Sequence, residues 1–126
     1  MAILGCGGMA GAHANRFKNN PDVEIVACSD VSTQVVDGFI AKNLGDVAAK
    51  PKVFTDPAAM YREAKPDAVT IVTPHTMHYE HGVQALEAGC HVLMEKPMVT
   101  NADQAHALAA KAAATKRIVV VGYNSP

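Results

Sequence analysis

The chain has 126 residues, enough for one ordinary domain with a buried core. Hydrophobic residues make up 49% and charged residues 18%, which excludes an intrinsically disordered chain, and the net charge of -1 excludes a basic surface for nucleic acid or anionic membranes. No apolar run approaches the roughly 18 to 20 residues of a membrane span, and no basic segment precedes a signal-peptide core.

Short apolar runs alternate with segments of helical periodicity along the whole chain. In chain order, the apolar runs predict six strands at residues 2–4, 24–28, 52–54, 68–72, 91–94 and 117–121. The helical segments between them predict helices at residues 9–19, 32–43, from 57 (a short one), 76–88 and from 102 to about 114. This alternation indicates an α/β fold with helices on both faces of a mostly parallel sheet. Right-handed crossovers favour a doubly wound, six-stranded Rossmann sheet in the order 3-2-1-4-5-6.

The first predicted strand leads into the motif G-x-G-x-x-A, which opens the first predicted helix. Gly5 permits a tight turn, Gly7 lets a diphosphate approach the backbone, and Ala10 lets the helix pack closely on the sheet. Gly8 and Met9 supply free N–H groups at the positive end of the helix dipole. A glycine motif in this setting predicts dinucleotide binding; a plain strand-to-helix turn is the alternative.

An acidic residue, Asp30, follows the second predicted strand. A carboxylate there accepts hydrogen bonds from ribose hydroxyls and repels a 2′-phosphate. No Lys or Arg stands between Asp30 and Lys42 to hold such a phosphate. The sequence therefore predicts NAD as the cofactor in preference to NADP. Asp30 could instead serve only the loop or cap the next helix, although Ser32 can supply that cap.

Two further motifs follow the fourth and fifth predicted strands: Thr-Pro-His-Thr-Met-His at residues 73–78, and Glu-Lys-Pro at residues 95–97. Both are expected at the carboxyl ends of strands, the edge where open α/β sheets bind ligands. With the glycine turn they resemble the glucose–fructose oxidoreductase / inositol dehydrogenase / MocA family over essentially the whole chain. The segments at residues 78–80 (HYE), 85–89 (ALEAG) and 121–124 (VGYN) share this likeness, and Glu-Lys-Pro is its most specific part.

The resemblance implies an NAD(P)-dependent oxidoreductase that moves a hydride between nicotinamide and a sugar, polyol or related substrate. It adds cofactor contacts to those predicted from the glycine turn and Asp30, namely Thr73, Pro74, His75, His78, Glu95, Lys96 and Pro97. His75 stands where the family often has Asn, and Pro97 often follows a cis peptide bond in the family. Glu95 and Lys96 are expected to flank the nicotinamide.

Lys96 is the predicted catalytic residue. The resemblance implies that it hydrogen-bonds the reacting hydroxyl, and alcohol oxidation needs a group that takes the hydroxyl proton. A lysine does this when burial or a neighbouring cation lowers its pKa. The alternatives are a solvated surface lysine or one that simply pairs with Glu95.

Three histidines, His75, His78 and His81, are spaced three residues apart where a helix is predicted to start. Two of them could approach one metal ion, but three at this spacing fan around a helix, so no metal site is predicted. We interpret His13, His91 and His106 as ordinary helix or strand histidines.

The resemblance implies a second, substrate-binding domain and a homo-oligomer in the full-length protein. Residues 1–126 are expected to form only the cofactor domain, whose uncovered sheet edge would favour self-association. A stand-alone dinucleotide sensor and a Rossmann-like domain for another ligand, such as S-adenosylmethionine, stay open as alternatives. Three widely spaced cysteines without a CxxC pair predict free thiols and a cytoplasmic protein.

Overall fold

The computed structural model describes residues 1–123, in which strands and helices alternate. The strands are β1 (Ala2–Leu4), β2 (Ala27–Ser29), β3 (Lys52–Phe54), β4 (Ala68–Ile71), β5 (His91–Glu95) and β6 (Val119–Gly122). The helices are α1 (Gly8–Lys18), α2 (Thr33–Asn43), α3 (Pro57–Ala64), α4 (His78–Glu87) and α5 (Ala102–Thr115). A 3₁₀ turn at His75–Met77 leads into α4.

All described strand pairs are parallel, in the order β3-β2-β1-β4-β5-β6. This confirms the predicted Rossmann topology. The central strand β1 is entirely buried, with Ile3 between Cys28 on β2 and Thr70 on β4. Its apolar sequence reflects this position, because a parallel strand covered on both faces has no solvent side.

Helices cover the two faces of the sheet and create two separate cores. On one face α1 and α2 pack on β1 and β2, around Ile3, Ala10, Ala14, Cys28, Val36, Phe39, Ile40 and Leu44. On the other face α3, α4 and α5 pack on β1, β4 and β5, around Leu4, Met60, Val69, Ile71, Ala85, Leu86, Val92, Met94 and Leu108. The strand β1 therefore contributes side chains to both cores, one core on each face of the sheet.

Two strands start two or three residues later than their apolar runs indicate. β2 starts at Ala27 instead of residue 24, because its ladder begins opposite Ala2, the first residue of β1. β6 starts at Val119 instead of residue 117, because its register begins opposite Val92. Strand length is set by the neighbouring strand, which a local apolar pattern does not report. Residues 124–126 lie outside the described residues, and they include the last position of the VGYN likeness.

No helix within residues 1–123 combines the length and the apolar character that are needed to cross a bilayer.

The edge strand β6 and the residues directly before and after it present apolar side chains to solvent. Ile118 and Val120 are 61% and 52% exposed, and Tyr123 is 69% exposed. We expect weak, concentration-dependent self-association of this chain through that edge, measurable by sedimentation velocity. Val120→Lys should shift the distribution towards monomer, because a charge on an edge strand disfavours pairing. A strictly monomeric profile at high concentration would contradict this expectation.

Candidate functional site

The turn after β1 needs glycine at its first position. Gly5 has a φ of +92°, which L side chains rarely adopt, and its N–H donates to the Ser29 carbonyl at 2.8 Å. A Cβ at Gly5 would lie 2.6 Å from the Val72 carbonyl oxygen, at the end of β4. The turn is therefore packed against the neighbouring strand end, a constraint beyond the tight bend that the motif predicts.

The start of α1 is open to solvent and lacks any protein group that would cap it. Its N-cap residue is Gly7, no side chain accepts from its first N–H groups, and its first turn holds no acidic residue. An ideal Cβ at Gly7 or Gly8 would meet nothing within 4 Å. The first turn of a helix has free N–H groups and a partial positive charge, so this open cradle fits an anionic group such as a diphosphate. Ala10 is fully buried against the sheet, as predicted.

Asp30 lies directly beside this turn. One carboxylate oxygen accepts the Cys6 N–H at 2.7 Å, and the other accepts the Val31 N–H at 2.6 Å. The carboxylate therefore braces the glycine turn, a role that the motif alone did not indicate. Each oxygen retains further acceptor capacity towards solvent, because the residue is only partly buried.

A cavity of about 390 Å³ adjoins Asp30 at the carboxyl edge of β1, β2 and β4. Apolar atoms dominate its walls, and the exposed side chains of Val31 and Met77 border it. Residues that follow β1, β2, β3 and β4 line it, namely Gly5, Asp30, Val31, Thr55, Pro57, Thr73, Pro74, Met77 and His81. A flat, mostly apolar ring system next to a polyhydroxylated sugar fits this surface, since the acid sits at one end of it.

Thr73 and His81 form a polar contact within this wall. The Thr73 hydroxyl lies 2.9 Å from Nδ1 of His81. Burial lowers the pKa of His81 from its ordinary value, against the opposing effect of Glu80. The neutral imidazole is therefore favoured at neutral pH, and it fixes the Thr73 side chain at the predicted cofactor edge.

The cysteine within the glycine turn is a packing residue. Its Sγ lies 3.6 Å from the Ser29 carbonyl oxygen. A hydrogen bond with the Cys28 thiol, together with burial, raises the pKa of Cys6 far above the ordinary range. The Cys6 thiol is thus held protonated, and all three cysteines are free and buried.

His78 is not placed where it could make the cofactor contact that we predicted for it. Its side chain is fully buried, with Nε2 2.9 Å from the Thr73 carbonyl and Nδ1 2.7 Å from the Pro97 carbonyl. Both nitrogens are engaged and no part of the ring is exposed, so a direct contact with a bound cofactor is not compatible with this arrangement. The ring instead links the loop after β4 to the loop after β5.

The side chain of Glu95, which we expected to flank the nicotinamide, is directed at another part of the protein. Its Oε1 lies 2.6 Å from Nε2 of His13, and its side chain is only 14% exposed. It therefore faces α1 rather than open space beside a ligand. His13 lies on a helix, as we expected, and it also has a buried carboxylate partner that we did not predict. The available signal was its place among the apolar positions Ala10 and Ala14, where a buried imidazole requires a polar partner.

Lys96, Pro97 and His75 are exposed at the same carboxyl edge. The Lys96–Pro97 peptide bond is cis, which confirms the geometry implied by the resemblance. The Lys96 N–H lies 3.3 Å from the Glu95 carboxylate, but the amine extends towards solvent. The catalytic role of Lys96 stays a prediction, and so do the cofactor contacts of Thr73, Pro74 and His75.

The three histidines do not form a metal centre in the part of the chain that the structure describes, where no cluster of three or more suitable ligands occurs. The rings of His75 and His78 meet edge to face with centroids 5.6 Å apart. The nitrogens of His78 and Nδ1 of His81 already face other protein atoms.

Comparison with known proteins gives one consistent picture. The model of the Gfo/Idh/MocA oxidoreductase family, with an NAD-binding Rossmann fold, matches residues 1–123. D-glucoside 3-dehydrogenase of Escherichia coli (strain K12) is 39% identical over 106 residues, which cover 83% of this chain and 29% of that enzyme. Inositol 2-dehydrogenase of Rhodococcus erythropolis is 32% identical over 125 residues, which cover 98% of this chain and 35% of that enzyme.

A solved structure agrees with these sequence matches. GenD2 from gentamicin A biosynthesis, in complex with NAD, superposes with a TM-score of 0.87 at 27% identity, covering 96% of this chain and 33% of that one. The chain thus spans about a third of the length of the proteins that it matches.

Proposed function

Because the chain belongs to the Gfo/Idh/MocA oxidoreductase family with its NAD-binding Rossmann fold, we propose that it is the cofactor domain of an NAD-dependent sugar or polyol dehydrogenase. The observation that carries this proposal is the uncapped, side-chain-free start of α1, with the Asp30 carboxylate fixed beside it. An anion cradle next to a rigid acid matches the diphosphate and adenosine ribose of a dinucleotide.

The binding roles follow from position along this edge. The N–H groups of Gly8 and Met9 receive the diphosphate, with Gly7 leaving room for it. The free acceptor sites of Asp30 hold the ribose hydroxyls. The adenine occupies the cavity that Val31 and its neighbours line, because the walls are mostly apolar and the acid stands at its rim.

The nicotinamide end lies towards β4 and β5. The bound cofactor supplies the hydride acceptor, and the protein supplies orientation and proton transfer. Lys96 Nζ, in its neutral form, takes the proton of the substrate hydroxyl, since Lys96 lies directly after β5 at this edge. His78 holds the two loops together through their carbonyls, which keeps Thr73 and Lys96 at one edge.

Isothermal titration of the folded chain with NAD and with NADP tests the cofactor assignment. We expect NAD to bind more tightly, because the Asp30 carboxylate repels a 2′-phosphate. Tighter binding of NADP would contradict the assignment, and no association with either nucleotide would contradict the proposed function as a whole.

Asp30→Asn separates the charge of this residue from its size. We expect the affinity of the variant for NAD to fall about tenfold, since the charge-assisted hydrogen bonds to the ribose weaken. The ratio of its NAD affinity to its NADP affinity should also fall, because the carboxylate no longer repels the 2′-phosphate. Asp46→Asn is the matched control, because Asp46 is exposed, pairs with Lys18 and does not line the cavity beside Asp30. Equal losses for both nucleotides would show that Asp30 only braces the turn.

Lys96→Ala tests the chemistry in the oxidoreductase that contains this domain. We expect turnover of its sugar or polyol to fall by about 100-fold or more, while the Kd for NAD changes less than about threefold, because proton transfer is lost and the nucleotide cradle is intact. Lys65→Ala, which removes an exposed lysine after α3, is the control. Full turnover by the Lys96 variant would remove this residue from the mechanism.

A stand-alone nucleotide sensor without catalysis is the second candidate. The observation that favours it is the exposure of Lys96, which lacks the burial expected to activate an amine. Steady-state assays distinguish the candidates: a sensor binds NAD and never turns over a polyol, whether or not a substrate-binding domain is supplied. Turnover by residues 1–126 alone would contradict both the sensor and a cofactor domain that depends on a separate substrate-binding domain.

The three free thiols support our expectation of a cytoplasmic setting, and a homo-oligomer stays part of the proposal.

A further inference from the structure

One buried contact between a histidine and a glutamate connects the two ends of the candidate site. His13 on α1 is 7% exposed, and its Nε2 contacts Glu95 Oε1 at 2.6 Å. The His13 ring also stacks on Phe17, with centroids 6.0 Å apart and planes inclined by 26°. The imidazole is therefore fixed on both sides, by a carboxylate at one nitrogen and by an aromatic face.

The carboxylate is equally confined. Its second oxygen lies 3.3 Å from the Lys96 N–H, and a Cβ on Gly122 of β6 would be 3.5 Å from its first oxygen. Glu95 therefore lies between α1, the neighbouring strand and its own loop. Because each partner of a buried pair compensates the other, removing the imidazole leaves an unpaired carboxylate that must seek water.

His13 and the diphosphate cradle belong to one rigid element. His13 lies five positions after Gly8, the first residue of α1, which is about 7.5 Å along the helix axis. In a dinucleotide the nicotinamide is joined to the diphosphate through a single ribose, which limits how far apart the two groups can lie. Anchoring the Lys96 loop to α1 thus fixes the distance between the cradle and the nicotinamide end.

We propose that His13 is a positioning residue: through Glu95 it holds the loop that carries Lys96 in register with the helix that binds the diphosphate. This inference rests on the proposed function. It assigns to His13 a role at the nicotinamide end alone, since the adenosine cavity and the cradle do not include it.

The test compares NADH with ADP-ribose, which lacks the nicotinamide, by isothermal titration of the folded chain. His13→Leu should weaken NADH about five- to tenfold and leave ADP-ribose within about twofold, because only the nicotinamide contacts depend on the pair. His13→Gln, whose amide nitrogen can replace Nε2, should restore NADH binding and the emission maximum of bound NADH. His106→Leu, at an exposed position on α5, is the matched control. If the Leu variant does not fold, His13→Asn replaces it, because its amide is too short to reach Glu95.

The outcomes separate this inference from its premise. Equal weakening of both ligands, unchanged NADH binding, or no recovery with Gln would overturn the positioning role and leave the cofactor assignment standing. A wild-type chain that binds neither ligand would overturn the proposed function and this inference with it.

Discussion

Gly5→Ala is expected to destabilise the folded chain by about 3 kcal/mol or more and to abolish nucleotide binding. The new Cβ would lie 2.6 Å from the Val72 carbonyl oxygen and 2.9 Å from the Thr73 nitrogen, both backbone atoms of the central sheet. The residue also has a φ of +92°, a strained conformation for alanine. Relief of the clash requires β1 and β4 to separate. Urea denaturation with a circular dichroism readout measures the loss.

Gly7→Ala is the matched control, because the same methyl group there meets no protein atom within 4 Å. Its stability should stay within about 0.5 kcal/mol of the wild type. Its affinity for NAD should fall, since the methyl group would enter the space that we assign to the diphosphate. If Gly5→Ala unfolds at the wild-type urea concentration, the packing of the turn on β4 is not as tight as described.

His78→Leu should destabilise the chain by about 2 to 4 kcal/mol. The imidazole contacts the carbonyl oxygens of Thr73 and Pro97, and a carbonyl oxygen only accepts. Leucine has no N–H, so the carbonyl to which His78 donates loses its donor, and the contact with the other carbonyl is lost as well. The loops after β4 and β5 would then lose their side-chain link. Thermal denaturation measures the stability, and titration with NAD measures the expected weakening that accompanies loop separation.

His91→Leu is a useful comparison, because His91 is only partly buried and its Nδ1 accepts a single N–H, from Ile118. We expect it to cost about 1 kcal/mol, less than His78→Leu. Similar losses in both variants would show that the two carbonyls around His78 find other partners, and that the ring does not hold the loops.

Much of the fold followed from local patterns. The alternation of apolar runs with helical segments, interrupted by Gly and Pro, was sufficient to predict the strand order and the glycine turn. Asp56 caps α3, and its carboxylate accepts from the N–H groups of Ala58 and Ala59. The first residues of β2 and β6 could not be predicted, because the register with the neighbouring strand decides where each strand starts.

The site divides in a similar way. Residues whose role depends on backbone shape, such as Gly5 and the cis bond before Pro97, were identified from motifs. The partners of His13 and His78 were not predicted, because they lie 82 and 19 residues away in the sequence. A motif gives the residue type at a strand end, but the direction of its side chain depends on which distant group can satisfy it once buried.

The uncapped start of α1 has a consequence for the lifetime of the domain. With neither a capping side chain nor an acid in its first turn, the helix has amides that only water or an anionic ligand can satisfy. A bound dinucleotide completes this secondary-structure element, so occupancy and folding are thermodynamically linked: saturation at about 100 times the Kd adds about 2.7 kcal/mol. Cellular nucleotide supply would thereby govern how often the domain opens to proteases.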